Sequence, residues 1–171
     1  MRKFCISFVL IGIIVLTIVA VKVPKTHTEY LRIHIRANSN SQVDQSVKYQ
    51  IKEKVVGFLT PMIAECVSKK NAEKMLEENV KNIEQIADMV LKNNGFDYLS
   101  KAKISNEEFP TRVYEEYTLE SGFYDALIIE LGEAKGDNWW CVVYPPLCFL
   151  SDSTAIRYRS KIKDIIQKFY E

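Results

Sequence analysis

The chain has 171 residues, of which 47% are hydrophobic, with 23 basic and 22 acidic side chains and a formal net charge of +1. Residues 1–24 hold three of the basic side chains (Arg2, Lys3 and Lys22) and no acid, which leaves 20 basic against 22 acidic over the rest. So even a balance excludes nucleic acid as a partner, because phosphate binding needs a concentrated basic surface, and a body of this length fills one domain.

Met1-Arg2-Lys3 precedes an uncharged apolar run over residues 4–21. A charged start and an apolar stretch make an export signal or a membrane anchor. Its length falls between a usual signal h-region of about 15 residues and a spanning helix of about 20. With Arg2 and Lys3 held inside, everything after the run is expected outside the cytoplasm. The predicted organisation is therefore a signal or anchor over 1–24, a short linker over 25–30, and one exported domain over 31–171.

Within that domain Leu31, Ile33 and Ile35 alternate with Arg32, His34 and Arg36, the period of a strand with one buried face. His34 is expected to point away from that face, to the surface. Asn38-Ser39-Asn40-Ser41 favours turns and caps, and Ser41 with Asp44 resembles a capping box. Val43, Val47, Ile51, Val55 and Leu59 recur along one helical face. Thr60-Pro61 reads as the start of a second helical segment through Met62, Ile63, Cys66 and Val67. A longer helix is predicted over 71–93, stopped by Asn94-Gly95. Strands follow over 98–104, 111–118, 124–131 and 139–144, the last two joined as a hairpin through Gly136-Asp137. A C-terminal helix is expected over about 153–170, packed on its own domain. The fold class is α+β: a mostly antiparallel sheet covered by helices from the N-terminal half.

Residues 138–148 hold both tryptophans, two of the four cysteines and two of the five prolines. Pro145-Pro146 ends the preceding strand, since proline lacks the N–H for the next ladder bond. Cys141 and Cys148 stand seven residues apart across that turn and are the preferred disulfide pair. Cys5 lies in the apolar run, so the body has an odd three cysteines, and Cys66 and Cys141 as small buried apolar residues are the alternative.

Three segments in this order carry a resemblance: residues 37–45 (Ala-Asn-Ser-Asn-Ser-Gln-Val-Asp-Gln), 109–114 (Phe-Pro-Thr-Arg-Val-Tyr) and 138–148 (Asn-Trp-Trp-Cys-Val-Val-Tyr-Pro-Pro-Leu-Cys). Together they resemble the stage II sporulation protein R family of endospore-forming bacteria. The resemblance implies an exported signalling protein, made in the forespore and delivered to the space between forespore and mother cell. There it would activate a membrane-embedded aspartic protease that processes the pro-form of sigma factor E. It implies no enzyme activity, cofactor or metal.

The residues themselves offer candidates. His34, Asn38, Ser39, Asn40, Asp44, Gln45, Arg112, Trp139 and Trp140 are read as a partner-binding set. Asp44 is also a first-turn acid, and Asn38, Ser39 and Asn40 are also cap and turn formers. Arg112 stands among Glu107, Glu108, Glu115 and Glu116 and reads as either an ion-paired surface residue or a recognition contact. Trp139 and Trp140 must face opposite sides of their strand, so one is expected in the core and the other exposed as an interface anchor. The rival reading is a cysteine-dependent cell-wall or peptide hydrolase built on Cys141 and His34, with Asn38 or Asp44 orienting the ring. A Ser39–His34–Asp44 triad lacks the glycine elbow that would expose the serine, and a zinc site lacks ligands.

Overall fold

The computed structural model describes residues 26–114, 117–149 and 158–171. The predicted signal or anchor lies outside these residues; among them no helix is long and apolar enough to cross a membrane. Strand β1 (Thr26–Arg36) opens the domain, so the stretch read as linker is mostly strand. Helices α1 (Gln42–Ile63) and α2 (Lys69–Asn93) follow. Then come β2 (Ser100–Phe109), the short β3 (Arg112–Tyr114) and β4 (Tyr117–Leu119), β5 (Gly122–Leu131) and β6 (Asn138–Tyr144). Helix α3 (Arg159–Tyr170) closes the chain.

The α+β class holds, but the sheet is mixed. Its order is β2-β5-β1-β6, with β1 parallel to β5 at the centre and antiparallel pairs at both edges. The predicted hairpin between β5 and β6 does not form, because β1 lies between them. The segment after β5 instead crosses the end of β1. Alternation could not reveal this: a central strand is buried on both faces, and β5 indeed reads Ala126-Leu127-Ile128-Ile129 with no polar member.

The local signals mostly hold. Ser41 Oγ accepts from the Asp44 N–H at 3.2 Å to cap α1; α2 starts earlier than expected, with Ser68 Oγ accepting from the Asn71 N–H at 3.2 Å as its cap. Gly95 follows the α2 cap with φ of 79°, the left-handed stop its sequence announces. Thr60-Pro61, however, does not start a new helix. Thr60 Oγ1 donates to the Val56 carbonyl at 2.7 Å, and Pro61 sits in the last turn of α1. So near a helix end proline removes a single ladder bond.

Val47, Ile51, Val55 and Leu59 of α1 form one core with Leu31, Ile33 and Ile35 of β1 and with Leu76, Ile83, Ala87 and Leu91 of α2. Val43, assigned to the same helical face, is 63% exposed in the first turn. Cutting any of the buried leucines to alanine should cost about 2–5 kcal/mol. The sheet's other face carries a second cluster of Phe109, Leu119, Tyr124, Ala126, Ile128 and Val142, with Tyr114, Tyr117 and Trp140 packed against it. No helix is needed there, because β3 and β4 pair as a hairpin over this face. Helix α3 packs on the domain, burying Ile162 and Ile166 and stacking Tyr170 on Tyr117 at 4.4 Å.

Candidate functional site

The predicted partner-binding residues gather in two places. The first is the C-terminal end of β1, where residues 37–41 turn the chain into α1. The first turn of that helix brings Asp44 back beneath the turn, where Oδ2 accepts from Asn38 Nδ2 at 3.0 Å and from Ser39 Oγ. Tyr98, arriving from beyond α2, donates its hydroxyl to Asp44 Oδ1 at 2.5 Å. Burial alone would raise the Asp44 carboxyl, but the hydrogen bonds from Ser39, Tyr98 and Asn38 outweigh it and hold the group below the usual carboxylate range. A carboxylate with three such donors is already spoken for and makes a poor base.

Around it the residue 132–137 segment is laced onto this turn. The N–H groups of Lys135 and Gly136 donate to the carbonyls of Asn38 and Ala37 at 3.1 and 2.8 Å. Those of Glu133 and Asp137 donate to the side-chain oxygens of Asn38 and Asn40. Gly136 has to be glycine, since a Cβ would lie 2.2 Å from the Ser39 carbonyl oxygen. Gln45 Nε2 donates to the Ser39 carbonyl at 2.9 Å, while the buried Lys48 spans Gln45 Oε1 and the Asp137 carbonyl. Asn38, Ser39, Asp44 and Gln45 thus hold the fold, and Asn40, Ser41, Gln42 and Val43 lie exposed around them.

The second place is the outer face of β1. His34 is not on the surface: it is 4% exposed, set edge-on to Phe109 at 5.6 Å and tilted against Trp140 at 5.3 Å. Phe109 and Trp140, packed against the ring, bury what alternation assigned to solvent. Burial first, then the nearby charge of Arg36, pushes the imidazole down to about 4, against an opposing pull from Asn138. Arg36, two positions on, is neutralised by Glu107 and by Glu130 at 2.7 Å. Among the described residues no acid pairs with Arg112; its guanidinium lies 4.2 Å from the centroid of the Trp140 ring.

Neither tryptophan is the exposed anchor expected. Trp139 packs on the helix-side core and Trp140 on the opposite cluster, and both are half-buried. Cys141 faces the helix side opposite Ile33, while His34 pairs in register with Trp140 and faces the other way. The sheet itself therefore separates the proposed nucleophile from its base. Cys141 instead joins Cys148 as a disulfide, with the Cα atoms 6.2 Å apart, and Cys66 is a buried free thiol. Ser39 donates directly to Asp44 with no imidazole between them, so the triad is not assembled either. Among the described residues no group of three or more His, Cys, Asp or Glu is placed to hold a metal.

Sequence reasoning missed Arg32, Lys48 and Tyr98. Arg32 and Lys48 are fully or almost fully buried, although their residue types belong on surfaces. Tyr98 meets Asp44 across 54 positions of chain, a distance at which no local pattern operates.

Comparison with known proteins bears on this geometry. A sequence model of the family described as Stage II sporulation protein R matches residues 27–154, which takes in all of the sheet but its first residue, and both sets of candidate residues. Stage II sporulation protein R of Bacillus subtilis (strain 168) is 33% identical over 125 residues, covering 73% of this chain and 56% of the relative. The chain thus spans little more than half the length of that curated relative. No solved structure is a significant match. On the residues matched, the chain belongs to the stage II sporulation protein R family.

Proposed function

We propose that this protein is an exported sporulation signal which activates a membrane-embedded aspartic protease in the mother-cell membrane, leading to processing of pro-sigma factor E. The family match over residues 27–154 carries the reading. In this reading residues 1–24 take the chain across the forespore membrane, and the folded domain acts from the intermembrane space. It works as a ligand and not as a catalyst. The separation of His34 from Cys141 by the sheet supports this, as does the use of Ser39 and Asp44 in holding a turn.

A ligand switches a receptor only through its differential affinity for the active state. Two protease halves brought together would complete an aspartic site, which needs two carboxylates sharing a proton. The contact surface we favour is the rim formed by Asn40, Ser41, Gln42 and Val43, beside Glu133, Lys135 and Asp137. The interlocked turns beneath hold it rigid, so little ordering entropy is lost on binding.

Reconstitution in a non-sporulating host tests the reading. The exported chain, its cognate membrane protease and the pro-sigma substrate are co-expressed, and the shortened product is followed by blotting. Processing that requires the chain and persists in His34→Gln supports a ligand. Folded, exported chain that yields no processing overturns it. Within the same assay Val43→Asp should abolish processing with an unchanged melting curve; full processing by that variant removes the rim as the contact surface.

A further inference from the structure

We propose that the outer face of the sheet carries a binding site for a carboxylate, formed by Arg32, Arg112, His34 and the indole N–H of Trp140. The site is distinct from the rim above and does not depend on the signalling role. Arg32 is fully buried, with its guanidinium carbon 4.3 Å from the Phe109 ring centroid, 4.8 Å from Tyr124 and 5.7 Å from Tyr114. Nη2 donates to the Tyr114 hydroxyl at 2.6 Å, but Nε and Nη1 are buried with no acceptor. Aromatic faces offset part of the charge and supply no lone pair in the guanidinium plane.

The comparison with Arg36 is instructive. It lies on the same face of the same strand, and Glu107 and Glu130 neutralise it. Among the described residues no carboxylate does the same for Arg32 or Arg112. Arg112 stands near enough to Arg32 to disfavour its charge further. Buried charge in that condition is costly unless something pairs with it.

The other unmatched groups fall on the same face. Trp140 Nε1 is buried without a hydrogen-bond partner, and the buried ring nitrogens of His34 make no close hydrogen bond, with Asn138 beside the ring and the Glu107 carboxylate 3.8 Å from Nδ1. The indole can only donate, whereas a neutral imidazole donates from one nitrogen and accepts at the other. Rings line this layer, which suits a flat acceptor better than a tetrahedral phosphate. Entry lies at the edge where Trp140 and Arg112 are only half-buried. The lid over the layer is the β3–β4 hairpin, whose two three-residue strands pair with each other and not with the main sheet.

The test follows the two indole N–H resonances of the full chain in mild detergent, assigned with Trp139→Phe, during titration with sodium acetate. The Trp140 resonance should move saturably with acetate and stay still in sodium chloride of equal ionic strength. Arg112→Gln should weaken the effect about tenfold, in line with loss of one charge-assisted contact. Arg32→Lys, which keeps the charge but loses the planar fork, should weaken it further. N-acetylglutamate α-amide and N-acetylalanine then separate a side-chain carboxylate from a chain terminus as the source. No movement with acetate, or the same movement with chloride, overturns the site. An unaltered titration in Arg112→Gln also overturns it, and saturation by phosphate alone overturns the carboxylate assignment.

Discussion

Asp44 and His34 are both buried and both titrate away from their ordinary values, for opposite reasons and in different windows. Asp44 is held below the usual 3.8 because the donors from Ser39, Tyr98 and Asn38 outweigh burial. Its contribution to stability is therefore complete above about pH 4 and fades as pH falls through the folded value. Asp44→Ala leaves three donors unmatched and should cost about 1–3 kcal/mol at pH 7 by urea unfolding. The gap between variant and parent should narrow below about pH 4. His34 is pushed from 6.5 to about 4, so between those values the unfolded chain binds a proton that the folded chain refuses. Stability should then rise with pH across that window, and His34→Gln should flatten the slope between pH 5 and 7. An unflattened slope would assign it to other groups.

Element by element, what was legible in the sequence was whatever depends on near neighbours. The cap at Ser41, the stop at Asn94-Gly95 and the buried stripe Val47, Ile51, Val55 and Leu59 all rest on contacts within a few residues. Pairing across the sheet was not legible, because alternation says which face a side chain takes and never which strand lies alongside. For the same reason His34 read as a surface residue: nothing near it announces that Phe109 and Trp140, remote along the chain, will pack against it. The candidate site was half legible. Asn38, Ser39, Asp44 and Gln45 were found in their turn, but Tyr98 and the residue 132–137 segment that complete the network are remote in sequence. Gly136→Ala tests this interlock. Its Cβ would meet the Ser39 carbonyl oxygen at 2.2 Å, so the two turns must separate, at about 1–3 kcal/mol by thermal unfolding. Unchanged stability would mean that the turns are free to move apart.

For the whole molecule, the cysteines and the tail report how the domain is closed. With Cys141 and Cys148 joined and Cys66 buried, native protein should alkylate none of these three until unfolded, and then only Cys66. Mass spectrometry of alkylated protein counts them, and three modified thiols would contradict the bridge. Helix α3 buries Ile162 and Ile166 in the helix-side core, while Phe169 lies 5.2 Å from Tyr30 and 6.0 Å from Tyr144. The tail thus ties the start of β1 to the end of β6. Ile166→Ala should cost about 2–5 kcal/mol by urea unfolding, whereas Lys163→Ala, on the exposed side of the same helix, should cost less than about 0.5 kcal/mol.

The central position of β1 carries a consequence for the order in which the protein can be made. Its ladder partners are residues 123–130 on one side and 138–144 on the other, so the first strand synthesised completes its pairing only when the last ones arrive. Pairings so distant along the chain form slowly, because the loop must close before any contact repays it. A chain threaded through a membrane from its N-terminus would pass as an unfolded polymer, with its centre strand waiting on the far side for neighbours still in transit. For a chain so threaded, slow closure would be an asset, since the domain would stay transportable until its passage was complete.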